Sequence, residues 1–294
     1  MNEPEQVLLV EKDDRIGRIV FNRPDRLNTF TPAMFTAYLR ALDELEADDD
    51  IRVIIVKGAG RGFCAGWELQ PGSDNRVERG FSEDLLDMDR VSDGTLRLWR
   101  SPKATIAQIQ GFCIGGGLQF AMCCDLVYAT DDAVIGQPEA RSMGLVPDIG
   151  LWPLTINIRR TKELVMCGDN ITGREAAEMG MINASRPADQ LEEYVEWMAR
   201  RLSSLDTETI ALQKLAMNQL ADLQGLTTMI GIGKSNDLIQ HKQRGRAAFA
   251  ETAKQDGIRA ALRKRDDPFG GVGVAQSTAW EAFRRSTAAT TEET

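Results

Sequence analysis

The stretch Ala104-Thr105-Ile106-Ala107-Gln108-Ile109, continuing through Gly111-Phe112-Cys113-Ile114-Gly115-Gly116-Gly117 into Leu118-Gln119-Phe120-Ala121-Met122, decides the fold class. An apolar β-rich run enters a glycine turn, and a helix carrying Leu118, Ala121 and Met122 leaves it. The same order recurs on either side. Upstream, Ile51 to Lys57 reads as a buried strand, residues 58–80 as a glycine-rich polar loop, and about 82–100 as a helix. Downstream, 126–130 and 134–136 read as further strands. Strands alternating with helices predict an α/β core.

Further out, residues 7–11 and 15–21 are β-rich runs separated by Asp13-Asp14, which predicts a hairpin. Thr31-Pro32 opens a helix as N-cap and first-turn proline, with Phe35, Tyr38, Leu39, Leu42 and Leu45 on one face. Past residue 160 strand signals thin out. Thr172 starts a helix, 188–204 and 207–222 form two more, and 234–264 is helical and charged. The expected organisation is an α/β core over 1–204, a helical region over 205–284, and a frayed Ser/Thr/Ala/Glu-rich tail over 285–294.

Composition narrows the function. The 294 residues are 43% apolar, and 35 Lys and Arg face 44 Asp and Glu, for a net charge of −9. That balance argues against nucleic acid and anionic membranes as partners. It leaves room for an anionic ligand met by a local cluster of backbone N–H groups. The lone histidine, His241, sits in the polar run Asn236 to Arg244 and reads as part of a solvated helical face. Multi-histidine zinc sites are thereby excluded, a Ser-His-Asp triad is disfavoured, and no metal is expected. Chemistry falls to carboxylates and backbone. The five cysteines lack C-x-x-C spacing and read as free thiols in a reducing compartment. The start lacks a basic-then-apolar leader, and no run of about 18 apolar residues occurs, so a cytoplasmic protein is expected.

Two glycine motifs fail as nucleotide sites. Phe63 stands where Gly58-Ala59-Gly60-Arg61-Gly62 would need a further glycine, and Gly233-Lys234-Ser235 has Thr228 in place of the first P-loop glycine. Gly115-Gly116-Gly117 has two readings, a turn packed tightly on a strand or a set of N–H donors for a developing oxyanion. A second donor segment is Phe63-Cys64-Ala65-Gly66-Trp67-Glu68-Leu69, at a strand's carboxyl end.

Together these segments resemble the crotonase (enoyl-CoA hydratase/isomerase) superfamily. The resemblance rests on Phe21-Asn22-Arg23-Pro24-Asp25-Arg26-Leu27-Asn28, Phe63 to Gly66, Gly111 to Asp125, Gly136-Gln137-Pro138-Glu139 and Thr172-Gly173-Arg174-Glu175-Ala176, and covers about residues 7–265 in order. It implies a spiral of ββα units, a helical C-terminal region that trimerises, and a homotrimer or a dimer of trimers. It also implies an acyl-CoA substrate, with coenzyme A as part of the thioester and no tightly bound cofactor. The thioester oxygen would be held by the N–H groups of Ala65 and Gly116. Arg26, Leu27 and Ala65 would meet the coenzyme A moiety. Trp67, Leu85 and Trp152 would line the acyl pocket, although an apolar face packed in the core accounts for such residues equally well.

The chain departs from the hydratase pattern of two glutamates gripping a water. The first glutamate position holds Gln119, whose amide orients water but moves no proton at neutral pH. The second matches Glu139, yet one extra residue lies between Glu139 and Gly144. Absorbed just after Pro138, it would bring Ala140 into the site instead. Asp148 stands where many hydratases have glycine, and Glu68 replaces a usual aspartate and reads as a loop or helix cap. This inventory favours a single-carboxylate proton shuttle, hence double-bond isomerisation, by Glu139 with Asp148. The alternatives are hydration, with Glu139 as sole acid/base and Gln119 orienting water, and a non-catalytic binding or scaffold protein.

Overall fold

A computed structural model describes residues 6–69, 80–142 and 151–292. The expected hairpin is β1 (Leu8–Asp13) paired antiparallel with β2 (Ile16–Phe21). Helix α1 (Pro32–Ala47) begins where Thr31 Oγ1 accepts the Met34 N–H at 3.2 Å, and it buries Phe35, Tyr38, Leu42 and Leu45. There follow β3 (Val53–Gly58), β4 (Gly62–Cys64), α2 (Phe81–Arg100), β5 (Ala104–Ile109), β6 (Phe112–Ile114), α3 (Gly116–Met122), β7 (Leu126–Thr130) and β8 (Val134–Gly136). A 3-10 turn, Pro138–Arg141, comes next. Beyond it lie α4 (Trp152–Thr155), α5 (Ile158–Cys167), β9 (Asn170–Thr172), α6 (Gly173–Glu178), β10 (Ala184–Arg186) and α7 (Leu191–Ser203). The chain then runs through α8 (Thr207–Leu223), α9 (Leu226–Gln240), α10 (Arg244–Asp256), α11 (Ile258–Asp266) and α12 (Gln276–Glu292).

From β3 to β8, successive strands alternate between two sheets. One has the order β1-β2-β3-β5-β7-β10 and the other β4-β6-β8-β9. Each repeat lays one strand in each sheet, β3 then β4, β5 then β6, β7 then β8, and this alternation is the spiral. The strands β3, β5 and β7 run parallel and are buried on both faces. Period-two geometry sends Val53 and Ile55 to a core shared with Leu191, Val195 and Ala199 of α7. Ile54 and Val56 go to the main core with Phe21, Phe30 and Phe120. Helices on both sides explain why Ile51 to Lys57 is almost continuously apolar.

The structure adds to the expected elements and corrects two of them. The strand β4 lies inside the expected loop 58–80, and β6 inside the expected glycine turn. Both span three residues set against glycines, Gly62 for β4 and Gly111 and Gly115 for β6, so the turn signal covers them. The expected frayed tail over 285–294 is helical as far as Glu292. His241 is 2% exposed instead of solvated, and its Nδ1 lies 2.7 Å from Oδ2 of buried Asp84. The covering element, α2, comes from more than a hundred residues upstream, so the local polar run gave no sign of it. Among the described residues, no helix is long and apolar enough to cross a membrane.

Candidate active site

Parallel neighbours in the smaller sheet assemble the site. Ala65, Gly66 and Trp67 follow β4, Gly115 and Gly116 follow β6, and Glu139 follows β8. Because β4, β6 and β8 pair in parallel, these three segments emerge side by side at the carboxyl ends of the strands.

Glycine is required where they meet. Gly66 has φ +89°, and a methyl group there would stand 3.4 Å from the Gly116 nitrogen and 3.5 Å from Glu139 Oε1. Gly115 has φ +55°, and a methyl group on it would collide with the Glu139 carboxylate. The extra residue after Glu139 therefore does not turn it away, and Glu139, not Ala140, faces the glycines. A methyl group on Gly116 would stand 2.9 Å from the Trp67 Nε1, so the indole covers that side. Trp67 is itself held by Phe30 and Phe35, each with its ring centroid 5.6 Å away.

Backbone hydrogen bonding corrects one expected donor. The Ala65 N–H donates to the Leu27 carbonyl at 3.0 Å. That bond knits segment 26–28 to the site and removes Ala65 as a donor for a ligand. Phe30 donates to the Gly66 carbonyl and Glu68 to the Phe30 carbonyl, so the Trp67 N–H between them faces the other way. Among the described residues, neither the Trp67 nor the Gly116 N–H has an acceptor. Two free N–H groups beside a carboxylate are the elements of an oxyanion hole with an acid/base.

Glu139 is half-buried as a residue, but its Oε2 is buried and, among the described residues, has no hydrogen-bond partner. Burial raises its pKa above the ordinary glutamate value. Its own backbone N–H and Arg265 oppose the rise, and Asp266 adds to it. The nearby Cys64 thiol is pushed up to about 12 by burial and stays neutral. Among the described residues, Glu139 is thus the titrating group beside the free N–H pair.

The remaining expected site residues scatter in role. Gln119 lies on α3, one helical turn past Gly116, and is 9% exposed. Arg26 is exposed on the turn Pro24–Arg26, and Leu27 is half-buried at φ +49°. Leu85 is half-buried on α2, Trp152 is buried in the main core, and neither supplies the atoms nearest the glycines. Asp148 lies outside the described residues. Glu68 lies in a loop and pairs with Arg23 at 2.9 Å. Sequence reasoning missed the Trp67 N–H and the charged group Arg141, Asp169, Arg265 and Asp266 behind Glu139. A free N–H has no signature of its own, and those four charges are brought together only by tertiary packing.

A family model described as Enoyl-CoA hydratase/isomerase matches residues 11–256. The chain belongs to the enoyl-CoA hydratase/isomerase family. Among curated proteins it is similar to a probable enoyl-CoA hydratase of Mycobacterium bovis, at 30% identity over 90% of this chain and 98% of that protein. It is also similar to the 1,2-epoxyphenylacetyl-CoA isomerase of Escherichia coli, at 31% identity over 90% of this chain and 99% of that one. Among solved structures, an enoyl-CoA hydratase from Mycobacterium smegmatis superposes with a TM-score of 0.86 and 31% identity, covering 92% of this chain and 97% of that one. Family membership and the spiral fold therefore agree. The relatives named here include both hydratases and an isomerase, so membership alone leaves the reaction open.

Proposed function

We propose that the protein acts on an acyl-CoA thioester, stabilises its enolate with the N–H groups of Gly116 and Trp67, and moves a proton with Glu139. The observation that carries this is the buried Glu139 carboxylate, unpaired at Oε2, against Gly115 and Gly66 and beside the two free N–H groups. With a 3-enoyl thioester, Glu139 takes a proton from Cα and the electron pair moves toward the thioester oxygen. The two N–H groups stabilise that oxygen, each lowering the barrier by about 2.7–4 kcal/mol. Glu139 then returns the same proton to Cγ, giving the 2-enoyl thioester. A raised carboxyl pKa suits both halves, since the protonated form must persist long enough to donate.

Isomerisation is preferred because Gln119 occupies the position from which a second carboxylate would activate water. Hydration is the second reading, with Gln119 orienting the water and Glu139 as sole acid/base. It is favoured by the hydratases among the relatives. Incubating the protein separately with a 2-enoyl-CoA and a 3-enoyl-CoA, and following products by chromatography, separates the two. Rapid water addition to the 2-enoyl thioester would overturn isomerisation. The coenzyme A moiety is assigned to the neighbourhood of Arg26, the one exposed cation in segment 26–28 that the Ala65–Leu27 bond ties to the site. Trp67 is the acyl-pocket wall that packing supports best. Self-assembly belongs to the same proposal, because α8 exposes Leu212, Leu215, Leu220 and Leu223 on one broad face.

A further inference from the structure

Glu139 sits on the 3-10 turn Pro138–Arg141, and that turn is anchored by the C-terminal helices. Arg141, two residues on, is 3% exposed in its side chain. Its Nε donates to the Cys167 carbonyl at 2.9 Å, its Nη2 to Asp169 at 2.9 Å, and its Nη1 to Asp266 at 3.1 Å. Its guanidinium lies 3.9 Å from the centroid of the Phe269 ring. Asp266, at the end of α11, is 1% exposed and is also gripped by Arg265 through two bonds of 2.7 and 2.8 Å. This is a closed group of two guanidinium and two carboxylate charges packed behind the turn. A bidentate, buried arginine–carboxylate pair is geometrically demanding, and breaking one side leaves the other charge uncompensated.

We propose that Asp266, together with Arg265, is a positioning residue for Glu139: it anchors the turn through Arg141 and balances the charge that the carboxyl meets. Titratable groups come to the turn and its carboxyl from four elements. The turn itself carries Arg141, and the α5–β9 connection supplies Asp169, bonded to it. From β4 comes the neutral Cys64 thiol, and from α11 Arg265 and Asp266. Removing Asp266's charge leaves the guanidinium groups in excess and favours the ionised carboxyl. Removing Arg265's charge does the reverse. The helical region thereby acts on the chemistry of the sheet region and does more than support it.

This inference rests on Glu139 moving the proton, and its test separates the two claims. The readouts are α-proton exchange of butanoyl-CoA in deuterated water, followed by NMR across pH, and a carbon-13 NMR titration of the glutamate carboxyls. Glu139→Gln identifies the Glu139 resonance by its loss. Asp266→Asn is expected to move the acid limb of the exchange profile and the Glu139 titration down by about one pH unit, and Arg265→Gln to move both up by a similar amount. Arg265→Lys, which keeps the charge, leaves the limb in place. Shifts of the same sign in both charge-removing variants, or no shift in either, overturn the proposal. A merely structural role would slow all variants without opposite displacements. If Asp266→Asn does not fold, the contrast between Arg265→Gln and Arg265→Lys reads the same field. If Glu139→Gln exchanges at the wild-type rate, the proton-moving role fails, while the carboxyl titration still decides the charge balance.

Discussion

At the scale of single residues, Glu139 is held in tension between stability and chemistry. The folded state raises its pKa, so folding favours the protonated carboxyl. The stability this group contributes is fully present below its unfolded pKa, near 4.3, and is lost as pH rises through the folded value. Above that value a buried charge with an unpaired oxygen opposes folding. Glu139→Gln is therefore expected to be more stable than wild type at pH 8, by about 1 kcal/mol, with the gap closing toward pH 4. The same variant is expected to lose about 10²–10⁴-fold in turnover. Thermal melts and product assays on one preparation check both, and a variant that is equally stable at every pH contradicts the burial argument. Gln119 supplies the complementary test. Gln119→Glu puts a second carboxylate one helical turn past the Gly116 N–H, and it is expected to add about 10²-fold or more to water addition on a 2-enoyl-CoA. No gain would mean that the amide is not what separates this site from hydration. Most of this was legible in the sequence, because Gly115, Gly116, Gln119 and Glu139 lie in contiguous motifs. The donor at Trp67 was not. The Ala65 N–H is consumed by Leu27, and which of two adjacent amides is free depends on a hydrogen bond that only the folded backbone reveals.

At the scale of elements, the turn from β6 into α3 does its work through shape. Gly115 combines a left-handed backbone with a carboxylate packed where its side chain would stand. Gly115→Ala is expected to cost at least about 100-fold in turnover, because a displacement near 1 Å of an acid/base group has an effect of that size. Gly231 in α9 gives the contrast. A methyl group there meets nothing within 4 Å, and its backbone is helical. Gly231→Ala is expected to stabilise the fold by roughly 0.5–1 kcal/mol and leave turnover unchanged. Denaturant titrations with activity assays on both variants check the pair, and loss of activity in Gly231→Ala would show coupling absent from the geometry. Sequence patterning found α1, β3, β5, β7 and α7 because each is long enough for a period of 3.6 or 2 to register. It did not find β4 or β6, whose three residues are set among glycines that read as turns and whose pairing partners lie tens of residues away. Those short strands set the spiral and bring the three site segments together.

At the scale of the whole molecule, the helical half is bound into the site by buried charge and also presents an apolar exterior. Arg141 meets Asp266 across 125 residues of chain and His241 meets Asp84 across 157, so neither composition nor local pattern foretold these buried pairs. The exterior of α8 is different, since its exposed leucines recur at helical spacing. Leu220 and Leu223 are 50% and 86% exposed in a single chain. Fully burying a leucine is worth about 1.5–3 kcal/mol, so a face of four partly exposed leucines supplies a driving force for association. Wild-type protein is expected to scatter light as a multiple of its 32.5 kDa chain mass, three or six being the numbers that the resemblance implies. Leu220→Asp combined with Leu223→Asp is expected to release monomer, since two carboxylates at an apolar contact would have to be desolvated without partners. Circular dichroism on the same sample keeps loss of assembly distinct from loss of fold. Wild-type protein running as a monomer, or a double variant whose mass is unchanged, would remove α8 as the assembly surface. Turnover of the released monomer then tells whether the site is complete within one chain.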